Sequence, residues 1–175
     1  MKFLPVSATN DPYLPFIKEL YHASFPKEER RDWQQLLDMM DTCGEMQLQV
    51  IEEEAMAIGF IIFWVFGDWL FLEHFAVDPD LRGKSYGERI MKALMRDVKL
   101  ILEVEPPSTD NAVRRIVFYE RLGFSRLPFT YNQPSYSNPE ESFPMVLMSN
   151  SSAQREDQFS EIISQIRIKV YACLQ

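Results

Sequence analysis

Ala76-Val77-Asp78-Pro79-Asp80-Leu81-Arg82-Gly83-Lys84-Ser85-Tyr86-Gly87 is the stretch on which the reading of this chain turns. The apolar run Trp69 to Val77 precedes it and stops at an Asp-Pro turn. After it, Ile90, Met91, Leu94, Met95 and Val98 recur at helical spacing. A strand, a short basic loop with two glycines and a helix therefore follow one another. That order aims several backbone N–H groups and the positive end of a helix dipole at one small volume. The glycines at 83 and 87 let the backbone turn and approach a ligand. Such a loop is suited to phosphate.

Gly83-Lys84-Ser85 has the ending of a nucleotide-binding loop, whose pattern needs another glycine five residues earlier. Asp78 stands there with Asp80 behind it, and two carboxylates inside the cradle would repel a triphosphate. The stretch instead resembles motif A of the GNAT superfamily of acyl-CoA N-acyltransferases, an Arg/Gln-x-x-Gly-x-Gly/Ala loop after the fourth strand. Arg82, Ser85 and Gly87 carry the resemblance, with Ser85 in place of the first glycine. Phe118-Tyr119-Glu120-Arg121-Leu122-Gly123-Phe124 resembles the Tyr-x-x-x-Gly-Phe end of motif B. The resemblance implies a coenzyme A pyrophosphate held by Arg82, Gly83, Lys84, Ser85, Tyr86 and Gly87. It implies a pantetheine arm running beside Phe75, Ala76 and Val77, and acetyl-CoA as co-substrate without a metal.

A chain of 175 residues with 46% hydrophobic and 25% charged residues is expected to fold as a globular protein with a sizeable core. The net charge of −8 argues against general nucleic-acid binding, which needs a basic surface. One basic segment stands out: Arg82, Lys84, Arg89, Lys92, Arg96 and Lys99 against Glu88 and Asp97, beside the proposed phosphate loop. The remaining acidity favours a cationic partner such as an amine. Cys43 and Cys173 fit no metal spacing and read as reduced thiols of a cytoplasmic protein. Met1 to Val6 is too short for a signal peptide, and Gly67-Asp68 interrupts the densest apolar run before it reaches a membrane-spanning length.

In chain order, Lys2 to Ser7 reads as a first strand, and Asp11-Pro12 starts a helix that ends before Pro26. Glu28 to Met40 reads as one second helix, closed by Gly44. Gln47 to Glu54, Met56 to Phe66 and Trp69 to Val77 read as strands, the last two as a central antiparallel hairpin. Leu100 to Glu105 is a further strand and Asp110 to Leu122 a helix stopped by Gly123. Phe124 to Thr130 and Phe143 to Met148 read as strands around a loop at 132–141. A polar linker at 149–153 precedes a last helix with Phe159, Ile162, Ile163, Ile166, Val170 and Leu174 on one stripe. That stripe must be covered by the chain's own core or by a second copy in a homodimer. The order agrees with the GNAT fold, and the resemblance implies an α+β class with a mostly antiparallel, splayed sheet flanked by helices. The GNAT-like domain spans residues 1–150, and 151–175 form a C-terminal helical extension.

The resemblance makes Tyr119 the acid that protonates the departing thiolate, and a phenol is a neutral donor at neutral pH. The family's asparagine, seven residues before the tyrosine, is Ala112 here, with Asn111 beside it. An attacking amine must lose a proton to some base. Glu73, among Phe71, Leu72 and Phe75, is the first candidate, because burial would raise its pKa. Strand alternation sends Glu73 and His74 to opposite faces, so that one of them meets the substrate. Glu103 and Glu105 are alternatives on the next strand. The function expected is acetyl transfer to a primary amine, a small molecule or a peptide. A non-catalytic acyl-CoA-binding or regulatory module is the second reading, favoured by Ser85 and the displaced asparagine as Tyr119 favours the enzyme.

Overall fold

The computed structural model of the protein describes residues 1–138, 140–151 and 156–172. The chain runs β1 (Lys2–Pro5), α1 (Leu14–Ser24), a 3-10 turn (Lys27–Glu29), α2 (Trp33–Thr42), β2 (Met46–Glu53), β3 (Met56–Phe66) and β4 (Trp69–Val77). A second 3-10 turn (Pro79–Leu81) leads to α3 (Tyr86–Leu94), then β5 (Lys99–Val104) and α4 (Asp110–Arg121). β6 (Ser125–Arg126), β7 (Tyr131–Pro134), β8 (Ser142–Ser149) and α5 (Glu156–Gln165) follow, and the last helix widens into a π turn at Ile166–Tyr171. The described strands form one mixed sheet in the order β1-β2-β3-β4-β5-β8-β6, with β7 on β8. Every pairing is antiparallel except β4 with β5. The expected α+β class holds.

β3 is apolar almost throughout because both of its faces are covered. Phe60, Ile62, Trp64 and Phe66 pack with Ile17, Leu20 and Tyr21 of α1, Leu36 and Met39 of α2, and Phe159, Ile162, Ile166 and Val170 of the C-terminal segment. Ile61 and Phe63 pack on the other face with Ile90 and Met91 of α3 and Ile116 of α4. Each such buried side chain contributes about 1.5–3 kcal/mol relative to exposure. The C-terminal stripe is thus covered by the chain's own sheet. Leu174 and Cys173 lie outside the described residues, as do residues 152 and 153 of the expected linker, whose Ser149 still belongs to β8.

Four expectations change. Glu28 to Met40 is not one helix: after the 3-10 turn the chain is extended at Arg30, and Asp32 caps α2 by accepting the Gln34 N–H at 2.9 Å. Arg31 falls in that break and turns inward, 3% exposed. Between 124 and 130 only Ser125 and Arg126 pair, since Pro128 withholds a ladder N–H. The loop expected from 132 instead continues β7, whose polar Asn132 and Gln133 hide a strand paired to Phe143 and Pro144. Finally, Ile62 opposes His74 while Phe63 opposes Leu72, which leaves Glu73 as the extra residue of a β-bulge. Glu73 and His74 therefore turn to the same face, not to opposite ones.

The bulge matters because of its neighbour. β4 and β5 pair from Trp69↔Lys99 to Leu72↔Leu102, and no further. β4 continues to Val77 and β5 to Val104. The two strands part beyond Leu72 and open a gap at the middle of the sheet.

Candidate functional site

One mouth of the gap is the loop after β4. Asp78 closes its turn by accepting the Asp80 N–H at 2.9 Å, and the Arg82 N–H reaches Pro79 O at 3.2 Å. Gly83 is left-handed at φ +77, with open space around the missing Cβ, so the backbone angle alone calls for glycine. Ser85 is left-handed too, at φ +60, which costs an L residue about 1–2 kcal/mol. Gly87 has no such angle, so the expected backbone freedom rests on positions 83 and 85. The first bond closing α3 runs from the Arg89 N–H to Ser85 O at 3.1 Å. The backbone N–H groups of residues 83 to 88 donate to no described protein acceptor. They form a row of free donors at a helix N-terminus, the arrangement that holds phosphate. Within the basic segment Arg89 pairs with Glu53 and Lys92 with Glu88, while Arg82 forms part of the cleft wall.

The gap opens behind the loop as a cleft of about 320 Å³. Asp78 N–H donates to Ile58 O at 2.9 Å, and antiparallel alternation then turns the N–H groups of Phe75 and Val77 away from β3, into the gap. A Cβ on Gly59 would lie 2.4 Å from Ala76 O, so only glycine lets β3 approach this segment. Tyr119 projects from α4, which Thr109 caps and Gly123 stops at φ +90. Its ring packs on Phe118 and Phe124, and its hydroxyl, which no described protein group bonds, borders the cleft with residues 72–77. Burial pushes the phenol up to about 12. Ala112 is buried on α4, while Asn111 is exposed and outside the cleft wall. Arg115 pairs with Glu105 at 2.5 Å.

The other face of the gap holds a buried polar network. Glu73 accepts Arg31 Nε at 3.1 Å on one oxygen and Trp64 Nε1 at 2.6 Å on the other. Burial pushes its pKa up, but Arg31, with His74 and Trp64, leaves it below the ordinary carboxylate range. The raised pKa expected for Glu73 is therefore not found. Arg31 also donates to Val170 O at 2.5 Å and lies over the Tyr136 ring. His74 sits between Tyr21 and Phe25, and burial lowers its pKa, so the ring is neutral at pH 7. Its Nε2 donates to Glu29 O at 3.0 Å, which leaves Nδ1 a buried acceptor with no partner. Glu103 accepts Tyr131 Oη at 2.5 Å and Tyr171 Oη at 2.7 Å. Burial pushes it up to about 7 against the pull of the two phenols.

All the residues expected to bind or react lie around this gap or its loop. The sequence reading missed Arg31, Gly59, Trp64, Tyr131, Tyr136 and Tyr171. Only Gly59 left a local sign, as a glycine inside a strand pattern. Among the described residues no cluster of three or more His, Cys, Asp and Glu side chains is placed to hold a metal, and no helix is long and apolar enough to cross a membrane.

Residues 45–126, from β2 to β6, match the model of a family described as an acetyltransferase (GNAT) domain. A solved structure from Bacteroides thetaiotaomicron assigned to the GNAT family of acetyltransferases is 34% identical, covers 98% of each chain and superposes with a TM-score of 0.91. A GNAT acetyltransferase from Elizabethkingia anophelis with acetyl-CoA bound shares 17% identity over 85% of this chain and 95% of its own, with a TM-score of 0.57. The ribosomal-protein-S18-alanine N-acetyltransferase from Escherichia coli shares 20% identity over 89% and 97%, with a TM-score of 0.59. These last two share the fold. No curated protein matches the sequence. With both motifs lying on one gap and a 34% identical relative over nearly its whole length, the chain belongs to the GNAT family of acetyltransferases.

Proposed function

We propose that the protein moves an acetyl group from acetyl-CoA to a primary amine by direct transfer, with both substrates bound across the gap. One observation carries this reading: the free N–H row at 83 to 88 leads along Phe75 and Val77 to the Tyr119 hydroxyl. The donors and the turn at Gly83 fit a diphosphate, and Arg82 and Lys84 supply the charge. When bound, acetyl-CoA supplies an activated acetyl carbon. The N–H of Phe75 or Val77 donates to the thioester oxygen as it gains charge, a contribution of about 3–4 kcal/mol for one well-placed donor. Tyr119 keeps its proton until sulfur needs it, because its pKa lies far above the working range. Glu73 stays ionised and fixes Arg31 beside Tyr136. Holding both reactants in line supplies much of the rate.

The amine enters from the opposite face, where Phe25, His74 and Tyr136 border the cleft. Calorimetry with acetyl-CoA, then thiol release with spermidine, kanamycin and an alanine-led peptide, tests the reading. Binding with release on at least one amine supports it. Binding without release over the panel favours the non-catalytic module, and magnesium-dependent ATP binding would revive the nucleotide loop.

A further inference from the structure

Four carboxylates stand in the wall of the cleft, Glu29, Glu73, Glu103 and Glu105. Three of them have partners: Glu73 holds Arg31 and Trp64, Glu103 holds Tyr131 and Tyr171, and Glu105 holds Arg115. Glu29 is the exception. It is half-buried, and what acts on its carboxylate among the described residues is burial and the charges of Glu105, Arg115 and Glu28, with no hydrogen bond. We infer that Glu29 binds a second cationic group of the acceptor, so that the substrate is a short alkyl chain with an ammonium group at each end. The inference rests on the acetyl-transfer reading above and adds to it the class of amine.

The backbone that carries Glu29 is pinned to β4 and α1. Buried His74 donates to Glu29 O at 3.0 Å, Arg30 Nε donates to Phe25 O at 3.0 Å, and the Arg31 N–H donates to Tyr21 Oη at 2.9 Å. That keeps the carboxylate at the cleft wall. Burial raises its pKa and Glu105 raises it further, while Arg115 lowers it only in part because it is already committed to Glu105. Negative charge therefore exceeds positive at this end of the cleft, and an ammonium brought by the substrate supplies the missing counter-charge where water is partly excluded. Phe25, Phe118 and Met145 share the wall and offer an alkyl chain an apolar surface. Arg115 and Glu105 act on the Tyr119 phenol as well as on Glu29, so both ends of the cleft lie within reach of one ion pair. At about 320 Å³ the cleft is small for a ligand site and also takes the acetyl end of the coenzyme, which leaves room for a short chain. One end of that chain meets the thioester beside Tyr119 and the other meets Glu29.

The test is thiol release with putrescine and with butylamine, amines of one chain length and like basicity that differ in the second cation. Putrescine should be favoured by about tenfold in kcat/KM, through KM. Glu29→Gln should raise the putrescine KM by about tenfold and leave the butylamine KM, both kcat values and acetyl-CoA affinity unchanged. Glu28→Gln removes the same charge from the exposed neighbour outside the cleft wall and should keep the preference. Equal use of the two amines by the wild type overturns the inference alone, as does release with kanamycin or the alanine-led peptide but with neither putrescine nor butylamine. So does a Glu29→Gln enzyme impaired alike with both amines, the mark of a merely structural role, or a Glu28→Gln enzyme that loses the preference as fully, the mark of a general field. Absence of acetyl-CoA binding, or of thiol release with every amine tried, overturns the acetyl-transfer reading and the inference with it.

Discussion

The two faces of the gap are built from different materials. On the proposed coenzyme face the groups assigned the work are backbone N–H donors of consecutive residues, 83 to 88, held by one turn and one helix start. On the proposed amine face they are side chains from five separate stretches, Arg31, Glu73, Glu103, Tyr131 and Tyr171, which meet only when the sheet and the C-terminal segment have assembled. The first kind of site depends on backbone angles and tolerates changes of side chain. The second is a set of buried charges and phenols in which each group is another's partner, so removing one leaves the next unsatisfied.

That difference sets the order of expected effects. Arg31→Met should be the most damaging substitution, since it strands the buried Glu73 carboxylate and the Val170 carbonyl together. Breaking a buried pair on one side costs about 3–5 kcal/mol. Denaturant unfolding should show a loss of that size, and a loss under about 1 kcal/mol would mean that water reaches Glu73 and that the network is not sealed.

Tyr119→Phe comes next. If Tyr119 is the acid as proposed, the variant should lower kcat by about 100-fold while acetyl-CoA affinity and unfolding midpoint stay unchanged. Because burial holds the phenol at about 12, the wild-type rate should show no alkaline fall caused by Tyr119 below that region. An unchanged kcat in the variant would move the acid role to another group or to water.

The amine face also carries a pH signature in stability. Glu103 has a folded pKa of about 7, above its ordinary 4.5, so the native state binds more protons than the unfolded chain between those values. Its contribution is full below the lower value and is lost as pH rises through the upper one. Glu73 has the opposite sign: its depressed pKa contributes stability at neutral pH that is lost in acid. Glu103→Gln should therefore flatten the decline in unfolding free energy between about pH 5 and 7 and leave the acid branch in place.

The same contrast explains what could be read before the fold was known. Loop, helix start, Tyr119 and Gly123 lie in two short windows whose spacing expresses local backbone geometry, and the long apolar β3 and β4 announce a sheet covered on both faces. The bulge at Glu73 has no local signal beyond a polar Glu-His pair inside an apolar strand, so alternation gave the wrong faces. Arg31 looked like one more exposed charge on a helix. Its burial follows from the break before α2, which starts at Trp33 with Asp32 as its cap and not at Glu28. The Glu103 bonds join residues 28 and 68 apart, and no periodicity reports contacts of that range.

On the coenzyme face the effects should be small and set by angle. Gly83→Ala places a Cβ in open space at φ +77, so the penalty is the left-handed backbone itself, about 1–2 kcal/mol. If the free loop relaxes to relieve that strain, acetyl-CoA binding should weaken by about tenfold, with little change in unfolding midpoint. Ser85→Gly should do still less. Glycine removes a left-handed strain of about 1–2 kcal/mol but adds unfolded-state entropy of about 0.5–1 kcal/mol, and the two nearly cancel. The Ser85 side chain makes no cap bond that would be lost. Calorimetry should find the Ser85→Gly affinity within about threefold of wild type, under about 1 kcal/mol. A loss of tenfold or more would mean that the Ser85 hydroxyl itself grips the phosphate. The coenzyme face would then depend on a side chain as the amine face does, and the division between the two would fail.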